Sequence, residues 1–248
     1  MKVSIITATY NSAKTILDTL KSLDEQTYKD IEYIIVDGAS KDNTLKVIKD
    51  NCTRVNKIIS EPDCGIYDAL NKGIAAATGD IVGFLHSDDL FSSPDAVSNL
   101  VAAFMAGDHN AIYADLDYVD KDNINTVIRH WVSGQFKPSK LQLGWMPAHP
   151  TFYMTKAMYD KLGVFCLDFP IAADYDSVLR YFNSGELRAA YLPQVLVKMR
   201  VGGASNNTLP NIKRKMKEEV TIMRRNGLFY PLALVMKRLT KVNQYFNQ

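Results

Sequence analysis

The chain has 248 residues, 47% of them hydrophobic, and a formal net charge of +2 at pH 7. This size and apolar content predict one large domain with a sizeable core, alone or with a small appendage. No apolar run approaches the roughly 18 residues of a membrane span, so no membrane-spanning helix is predicted.

The cysteines and the first residues indicate the compartment. The three cysteines are odd in number and lack the C-x-x-C spacing, so neither a disulfide framework nor a zinc site is predicted. Met1 to Ile6 leads directly into a strand pattern, without the features of a signal peptide. We therefore expect a cytosolic protein with reduced thiols.

Two apolar runs, Val3–Ala8 and Ile31–Val36, predict buried parallel strands. The first ends in Thr9-Tyr10-Asn11-Ser12, which lacks the G-x-G-x-x-G signature of dinucleotide binding. Asn11 or Ser12 is expected to cap the helix that follows. The second run is followed by Asp37, whose carboxylate either accepts hydrogen bonds from a base or ribose or simply caps a turn.

A short third strand over 57–60 precedes a predicted helix over 66–77. Asp68 and Lys72 have i,i+4 spacing on that helix. An exposed ion pair at this spacing contributes a few tenths of a kcal/mol, about 0.3.

The fourth strand, over 81–85, ends in His86-Ser87-Asp88-Asp89. Ligands of open α/β sheets bind at the carboxyl ends of the strands. Adjacent carboxylates repel each other unless a cation lies nearby, and Mg²⁺ or Mn²⁺ escorting a phosphate would fit them. The alternative is an acidic turn with helix-cap chemistry. The polar ends of the first, second and fourth strands are expected to share one edge and form a site.

The pattern then changes to antiparallel pairing, with a strand over 111–118 and its hairpin partner over 126–131. This half is expected to bind the second substrate. An irregular segment over 144–152 holds Trp145 and His149, whose rings suit stacking on a sugar. The alternative for His149 is a structural role, with its ring nitrogens hydrogen-bonded inside the protein. Asp174 lies in the first turn of a predicted helix, where a carboxylate is favoured by the dipole and can act as a cap.

Short strands over 187–192 and 195–199 precede Arg200 and a glycine-rich loop. The loop either closes over a ligand with Arg200 facing phosphate or links to the tail. Two helical stretches, 211–225 and 229–240, follow. Residues 211–241 hold nine Lys or Arg against two Glu, so this tail either lies on an anionic membrane or packs on the domain.

Four segments together resemble the family 2 glycosyltransferases in order and spacing. They are Val3–Asn11, Val36–Thr44, Ser60–Ile74 and Gly79–Asp89. The third, with Glu61-Pro62-Asp63-Cys64-Gly65, is similar to bacterial exopolysaccharide and colanic-acid-type enzymes. Shorter matches at 149–151, 173–176 and 202–206 extend the likeness to about residue 206.

The resemblance implies an α/β protein of the GT-A fold, Rossmann-like, with a mixed sheet flanked by helices. The basic helical C-terminal tail is not covered by the resemblance and is expected from the composition and helical pattern alone. We expect a transferase domain over 1–206, with a nucleotide-sugar half over 1–110 and an acceptor half over 111–206, and an extension over 207–248. The implied activity is inverting, metal-dependent transfer from a nucleotide-diphosphate sugar, a UDP-sugar, to a glycan or lipid-linked saccharide. The expected setting is surface polysaccharide synthesis in the cytoplasm, at the inner face of the membrane.

The site residues carry over by position. Asp174 matches the general base, and Asp88 and Asp89 match the DxD motif that binds Mn²⁺ or Mg²⁺. The nucleotide sugar is expected to contact Thr7, Ala8, Thr9, Asp37, Asp68, Asn71, Lys72, Asp88 and Arg200, and the acceptor Trp145, His149 and Asp176. His86 stands where the family usually has the first Asp, which bears on ribose contacts and on donor preference.

Three other functions fit the sequence less well. A sugar nucleotidyltransferase usually has a glycine-rich, basic first loop, which is absent at 9–12. A catalytically silent nucleotide-sugar or glycan-binding protein has His86 as its only support, and product formation separates it from an enzyme. Nucleic-acid binding is disfavoured because the basic residues lie in the tail and no recognition motif is present.

Overall fold

The computed structural model describes residues 1–202 and 209–243. The described part contains one mixed sheet. Its strands are β1 (Val3–Thr9), β2 (Ile31–Asp37), β3 (Val55–Ser60), β4 (Ile81–Phe84), β5 (Leu90–Phe91), β6 (Ala111–Val119), β7 (Val127–Trp131), β8 (Tyr153–Thr155) and β9 (Ala189–Arg200). The strand order is β3-β2-β1-β4-β8-β6-β9-β5, and β7 pairs with β6.

The helices pack on the two faces of this sheet. They are α1 (Ile16–Asp24), α2 (Thr44–Asn51), α3 (Ile66–Ala76), α4 (Ala96–Met105), α5 (Pro138–Leu141), α6 (Lys156–Leu162), α7 (Ala173–Asn183), α8 (Leu209–Arg225) and α9 (Tyr230–Asn243), with a 3₁₀ turn at His149–Thr151. The α/β class with a mixed, helix-flanked sheet is as predicted.

The first four strands in the sheet order, β3, β2, β1 and β4, are parallel. Their carboxyl ends therefore lie at one edge, which confirms the predicted arrangement. Alternate residues face two separate cores: Ile6 and Ile34 belong to one and Ile5 and Ile35 to the other. Burial on both faces explains why these strands appear as continuous apolar runs rather than alternating ones.

The second half departs from the parallel pattern at β8, which pairs antiparallel with both β4 and β6. A Cβ at position 83 would lie 2.1 Å from the Tyr153 ring, so Gly83 lets β8 pack directly on β4. The sequence did not predict β8, because a three-residue strand is too short to show a period of two.

Two predicted boundaries were wrong. The two strands expected over 187–199 form one strand, β9, whose register with β6 shifts beside Asp115. Helix α1 begins at Ile16 rather than after Asn11 or Ser12. The Ser12 hydroxyl does not cap it, because that hydroxyl contacts the Tyr10 carbonyl and the Ser87 hydroxyl instead.

The C-terminal helices pack on the second half. Ile222 and Met223 of α8 and Ala233 of α9 are fully buried in the same core as Ile6 and Ile34. No described helix is both long and apolar enough to cross a bilayer, and all three cysteines are free. The predicted boundary at residue 206 and the loop over 203–206 lie outside the described residues.

Candidate active site

The ends of β1 and β2 form one corner of the site. Thr9 and Asp37 are neighbours in the register of these strands. Asp37 is fully buried and accepts hydrogen bonds from the Ser60 hydroxyl at 2.7 Å and from the Ser40 N–H at 3.1 Å. The Thr9 hydroxyl is buried without a hydrogen-bond partner among the described residues. Asp37 is therefore held in a fixed position, and Thr9 offers a hydroxyl to a ligand.

Two carboxylates follow β4 at the same edge. Asp88 is partly exposed, whereas Asp89 is buried, and neither oxygen of Asp89 has a well-aligned hydrogen-bond partner in the described part of the chain. Burial, and then the Asp88 charge, raise the pKa of Asp89 well above its usual range, and Arg200 opposes part of this rise. A buried carboxylate without partners is costly unless a cation meets it.

This pair suits a metal that is shared with a phosphate. Within residues 1–202 and 209–243, no three His, Cys, Asp or Glu side chains gather closely enough to form a metal site alone. Mg²⁺ commonly takes only one or two carboxylates and completes its shell with substrate phosphates and water, and Mn²⁺ also accepts oxygen ligands. The unpartnered oxygens of Asp89 beside Asp88 thus fit a metal that arrives with a diphosphate.

Arg200, at the end of β9, braces this edge. Its guanidinium donates to the Asp88 carbonyl at 2.8 Å and pairs with Asp18 of α1. It is buried, and its Nε has no partner among the residues that the structure describes. Arg200 therefore positions the Asp88 backbone and keeps one N–H available beside the carboxylates.

Other predicted donor contacts hold protein segments together. Ala8 is buried in the core. The Thr7 hydroxyl contacts the Leu85 carbonyl and, at 2.9 Å, the Tyr33 hydroxyl in the interior. The Asn71 amide exchanges two hydrogen bonds, of 2.9 and 3.0 Å, with the backbone of residue 165. The side chains of Thr7 and Asn71 thus already have protein partners.

Asp68 and Lys72 brace the loop before α3. Asp68 accepts a hydrogen bond from the Cys64 N–H at 3.0 Å. Lys72 lies 2.9 Å from Glu61 and 3.5 Å from Asp68, and donates to the Pro62 carbonyl at 3.0 Å. The expected simple ion pair is therefore part of a network that fixes residues 61–65.

An aromatic stack lies beside the carboxylates. The His149 ring lies between Phe84 and His86, with centroid separations of 5.5 and 6.1 Å. Nε2 of His149 and Nδ1 of His86 are buried and have no hydrogen-bond partner among the described residues. Burial lowers the pKa of His149 to about 4 and also lowers that of His86, while Asp174 opposes both shifts. Both imidazoles are therefore neutral near pH 7.

The predicted base lies in the first turn of α7. Oδ1 of Asp174 accepts hydrogen bonds from the Tyr67 hydroxyl at 3.1 Å and from the Tyr175 N–H at 2.8 Å. The Asp174 charge acts on His86 and His149, so the carboxylate is within electrostatic reach of the stack. The structure thus brings Asp174 to the same site as Asp88 and leaves its Oδ2 without a described protein partner.

The C-terminal helices hold this turn from outside. Glu218 of α8 accepts hydrogen bonds from the N–H groups of Ile171 and Ala172, both at 3.0 Å. The Lys237 ammonium of α9 lies 3.2 Å from the centre of the Tyr175 ring. The segment that presents the base is therefore anchored by the part of the chain that was expected to be an extension.

The two remaining acceptor candidates are engaged in packing. The Trp145 ring is partly exposed and packs against Phe136 and Phe182, each at a centroid distance of 5.4 Å. Asp176 is buried and pairs with Arg180 at 2.9 Å. The described structure gives both side chains protein contacts, and their contact with an acceptor stays a prediction.

Sequence reasoning missed three residues that hold the base: Tyr67, Glu218 and Lys237. Tyr67 stands in the segment 60–74, whose resemblance to the family was a usable signal. Glu218 and Lys237 carry no local motif, because their partners lie far along the chain.

The chain is similar in sequence to known proteins. The model of the family described as "Glycosyl transferase family 2" matches residues 4–169. An uncharacterized glycosyltransferase of Mycobacterium tuberculosis is 34% identical over 180 residues, which are 72% of this chain and 68% of the relative. A PGL/p-HBAD biosynthesis glycosyltransferase of Mycobacterium bovis is 29% identical over 237 residues, 94% of this chain and 90% of the relative.

Solved structures share the fold at low identity. S. aureus TarS 1–349 in complex with UDP-GlcNAc has a TM-score of 0.68 and 18% identity, covering 90% of this chain and 66% of that one. A mannosyltransferase of Pyrobaculum calidifontis in complex with GDP-Man and Mn²⁺ has a TM-score of 0.62 and 18% identity, covering 100% of this chain and 76% of that one. These glycosyltransferase structures confirm the predicted fold.

Proposed function

The chain belongs to glycosyl transferase family 2 and is therefore a glycosyltransferase, and we propose that it transfers a sugar from a nucleotide-diphosphate sugar to an acceptor hydroxyl with inversion. The observation that carries this proposal is the meeting of two groups at one edge of the sheet. Asp89, beside Asp88, has buried oxygens without a hydrogen-bond partner among the described residues, and Asp174 on α7 lies within electrostatic reach of the same site.

We propose a UDP-sugar as the donor. Thr9 and Asp37 offer a hydroxyl and a carboxylate at the ends of adjacent strands, where a base or ribose would find hydrogen-bond partners. Structural neighbours support a nucleotide sugar: one is bound to UDP-GlcNAc and another to GDP-Man. His86, in place of the family's usual Asp, is a neutral group near the expected ribose and bears on which donor is preferred.

Asp88 and Asp89 are the residues that would hold Mn²⁺ or Mg²⁺. Bound there, the metal would act as a Lewis acid for the charge of the departing nucleoside diphosphate. Arg200 fixes the Asp88 backbone and holds a cationic group near the same carboxylates. Arg200 and the metal would together place positive charge beside the leaving group.

Asp174 is the proposed general base. Tyr67 and the Tyr175 N–H orient its Oδ1, and its Oδ2 takes the proton of the acceptor hydroxyl. The hydroxyl oxygen bonds to the anomeric carbon while the bond from that carbon to the diphosphate oxygen breaks. A single displacement of this kind inverts the anomeric centre.

The proposed acceptor is a glycan or lipid-linked saccharide, in surface polysaccharide synthesis at the cytoplasmic face of the membrane. Helices α8 and α9, with the residue before α9, expose apolar side chains among basic ones: Leu209, Ile212, Phe229, Leu232, Val235 and Leu239. Such a surface suits an anionic bilayer. Replacing Phe229 and Leu232 by Ser should reduce sedimentation with phosphatidylglycerol vesicles, and unchanged sedimentation would contradict membrane contact.

Product formation tests the activity. We would incubate the protein with UDP-, GDP- and dTDP-sugars, Mn²⁺ and a panel of saccharide acceptors, and detect products by mass spectrometry and their anomeric form by NMR. We expect transfer from a UDP-sugar with inversion, abolished by EDTA. Binding without any product would favour a silent binding protein. Turnover between sugar 1-phosphate and pyrophosphate would indicate a nucleotidyltransferase.

A further inference from the structure

The turn that carries His149 is held in place by two buried hydroxyl groups. The Ser133 hydroxyl accepts a hydrogen bond from the Ala148 N–H at 3.1 Å and donates to the Ala114 carbonyl at 2.7 Å. The Thr151 hydroxyl accepts a hydrogen bond from the Ala114 N–H at 3.1 Å and lies 2.8 Å from the carbonyls of Ala114 and Ala148. The turn is therefore fixed against β6 at both of its ends.

The imidazole of His149 is surrounded by rings but lacks a hydrogen-bond partner at Nε2. Phe84 and His86 lie nearly parallel to it, at interplanar angles of 14° and 17°, and the Phe165 ring meets it edge-on at a centroid distance of 5.5 Å. Nε2 is buried and unpaired among the described residues, whereas a buried structural histidine is normally hydrogen-bonded. A sugar would therefore meet this ring at its edge rather than stack on its faces.

Exposure increases along the stack towards the site. Phe84 is fully buried, His149 is 8% exposed and His86 is partly exposed. The charge of Asp88 acts on His86, and the charge of Asp174 acts on both imidazoles. The stack thus leads from the core to the carboxylates that are proposed to hold the metal and to act as the base.

This is the region in which the transferred sugar would lie. In the proposed displacement, the anomeric carbon stands between the diphosphate that departs at Asp88 and Asp89 and the acceptor hydroxyl at Asp174. Side chains near both groups therefore face the transferred sugar. A sugar hydroxyl both donates and accepts hydrogen bonds, so it can pair with Nε2 of His149 in either tautomer of the neutral ring.

The charge near His149 favours an uncharged sugar substituent. The Asp174 carboxylate acts on this ring. A sugar carboxylate at Nε2 would place a second negative charge near Asp174, and like charges repel each other strongly where water is largely excluded. A hydroxyl at the same place carries no such penalty.

We propose that Nε2 of His149 binds a hydroxyl group of the transferred sugar and thereby selects a neutral hexose over a hexuronic acid. The inference rests on the proposed function and names the class of its donor sugar. It assigns His149 to the donor sugar, whereas the sequence alone predicted contact with the acceptor. Phe84 and His86 orient the ring, and Ser133 and Thr151 hold the turn that presents it.

Calorimetric titration of the full chain with Mn²⁺ tests this contact by comparing UDP with UDP-glucose and UDP-galactose. The measured quantity is the ratio of the affinity for the better UDP-hexose to the affinity for UDP, because UDP lacks the sugar. His149→Phe keeps an aromatic ring in the stack and removes the nitrogen. We expect it to bind the UDP-hexose about fivefold more weakly, the effect of one lost hydrogen bond, and to bind UDP within about twofold of the wild type.

Two further variants and one further ligand sharpen the test. His149→Gln keeps a hydrogen-bonding side chain and should bind the UDP-hexose more tightly than His149→Phe. The control is His109→Phe, because His109 lies just before β6, at the edge of the sheet opposite the site. It should leave both affinities within about twofold. The wild type should bind UDP-glucuronic acid about tenfold more weakly than the better UDP-hexose, and this comparison needs no variant.

Three results would overturn the inference. One is an unchanged affinity ratio in His149→Phe, which would indicate that only an ordered water meets Nε2. The second is a wild type that binds UDP-glucuronic acid as tightly as the better UDP-hexose, and the third is a wild type that binds UDP but neither UDP-hexose. The proposed function fails by a different result, which is that the wild type forms no glycoside product from any nucleotide sugar.

Discussion

The proposed donor edge and the proposed acceptor side of this molecule are built in different ways. The proposed donor edge lies at the carboxyl ends of the parallel strands β1, β2 and β4. Thr9 and Asp37 are the last residues of β1 and β2, and Asp88 and Asp89 lie in the turn that follows β4. The acceptor side presents Asp174 on the first turn of α7, which is held by Tyr67 and by Glu218 of α8. Regular strand pairing places the first set, whereas distant packing contacts place the second.

This difference predicts that the two sides can be damaged separately. Changes at the C-terminal helices should act on turnover through Asp174 and leave nucleotide binding intact. Changes at Asp88 or Asp89 should act on nucleotide and metal binding. The variants below test this separation, from the largest expected effect to the smallest.

Asp174→Asn should lower kcat by about 10²- to 10⁴-fold, because an amide cannot take the acceptor proton. The affinity for UDP with Mn²⁺ should stay within about twofold of the wild type. Asp160→Asn is the control, since Asp160 is exposed and pairs with Lys156 on α6, away from the candidate site. Steady-state kinetics measures kcat, and calorimetry measures the affinity for UDP. A normal kcat in Asp174→Asn would show that Asp174 is not the general base.

Glu218→Leu should reduce the free energy of unfolding by about 2 to 4 kcal/mol, because it leaves the N–H groups of Ile171 and Ala172 without their acceptor. It should also lower kcat while preserving UDP affinity. The control, Arg214→Gln, removes only the exposed partner of Glu218 and should cost less than about 1 kcal/mol. Urea unfolding measures the stabilities. A loss of UDP affinity equal to the loss of kcat would show that the two sides are not separable.

His149→Phe tests the stack by its pH dependence. Burial lowers the pKa of His149 from its ordinary value of 6.5 to about 4, so between these values the unfolded chain binds more protons than the folded one. The wild type should therefore lose stability as the pH falls from 6.5 towards 4, by up to roughly 3 kcal/mol from this residue. Phe keeps the stacking on Phe84 and removes the titration.

The measurement is urea unfolding of both proteins at pH 7, 5.5 and 4.5. The stability of His149→Phe should fall less than that of the wild type across this range. The charged and titratable groups that act on His149 are Asp174 and His86, and they are unchanged in the variant. Parallel pH profiles for the two proteins would contradict a buried, neutral His149.

Asn71→Ala should produce the smallest effect, a loss of about 1 to 2 kcal/mol in stability, because its amide holds the backbone of Phe165 with two hydrogen bonds. UDP affinity should change by less than about twofold. Asn51→Ala is the control, as Asn51 is exposed and donates one hydrogen bond within α2. If UDP affinity fell tenfold or more, Asn71 would be a donor contact, as the family resemblance implied.

The sequence predicted correctly that the polar ends of β1, β2 and β4 share one edge, because the pattern that indicates each strand is local. A buried strand followed by a polar tip is visible in one window, and parallel pairing then brings Thr9, Asp37 and Asp88 to one edge. The sequence also placed Asp174 at a helix start. It could not show that Glu218 and Lys237 hold that start, since neither residue stands in a motif. Nor could it show that Asn71 and Lys72, which do stand in a motif, already bind neighbouring backbone.

Two features of the proposed acceptor side could not be predicted from local sequence patterns, for other reasons. The strand β8 has three residues, too few for periodicity to be read. The C-terminal helices carry so many basic residues that composition allowed either a membrane surface or packing on the domain. The structure shows packing through Ile222 and Met223, while an outer face with exposed Leu232 and Val235 stays open for the proposed contacts.

The central claim is that metal-dependent nucleotide binding belongs to the donor edge alone. Calorimetric titration with UDP, with and without Mn²⁺, on the wild type, Asp89→Asn and Asp174→Asn tests it most directly. We predict metal-dependent binding in the wild type and in Asp174→Asn, and its loss in Asp89→Asn. Two results would contradict this account of the site. One is UDP binding that is independent of Mn²⁺ and unchanged in Asp89→Asn, and the other is loss of UDP binding in Asp174→Asn.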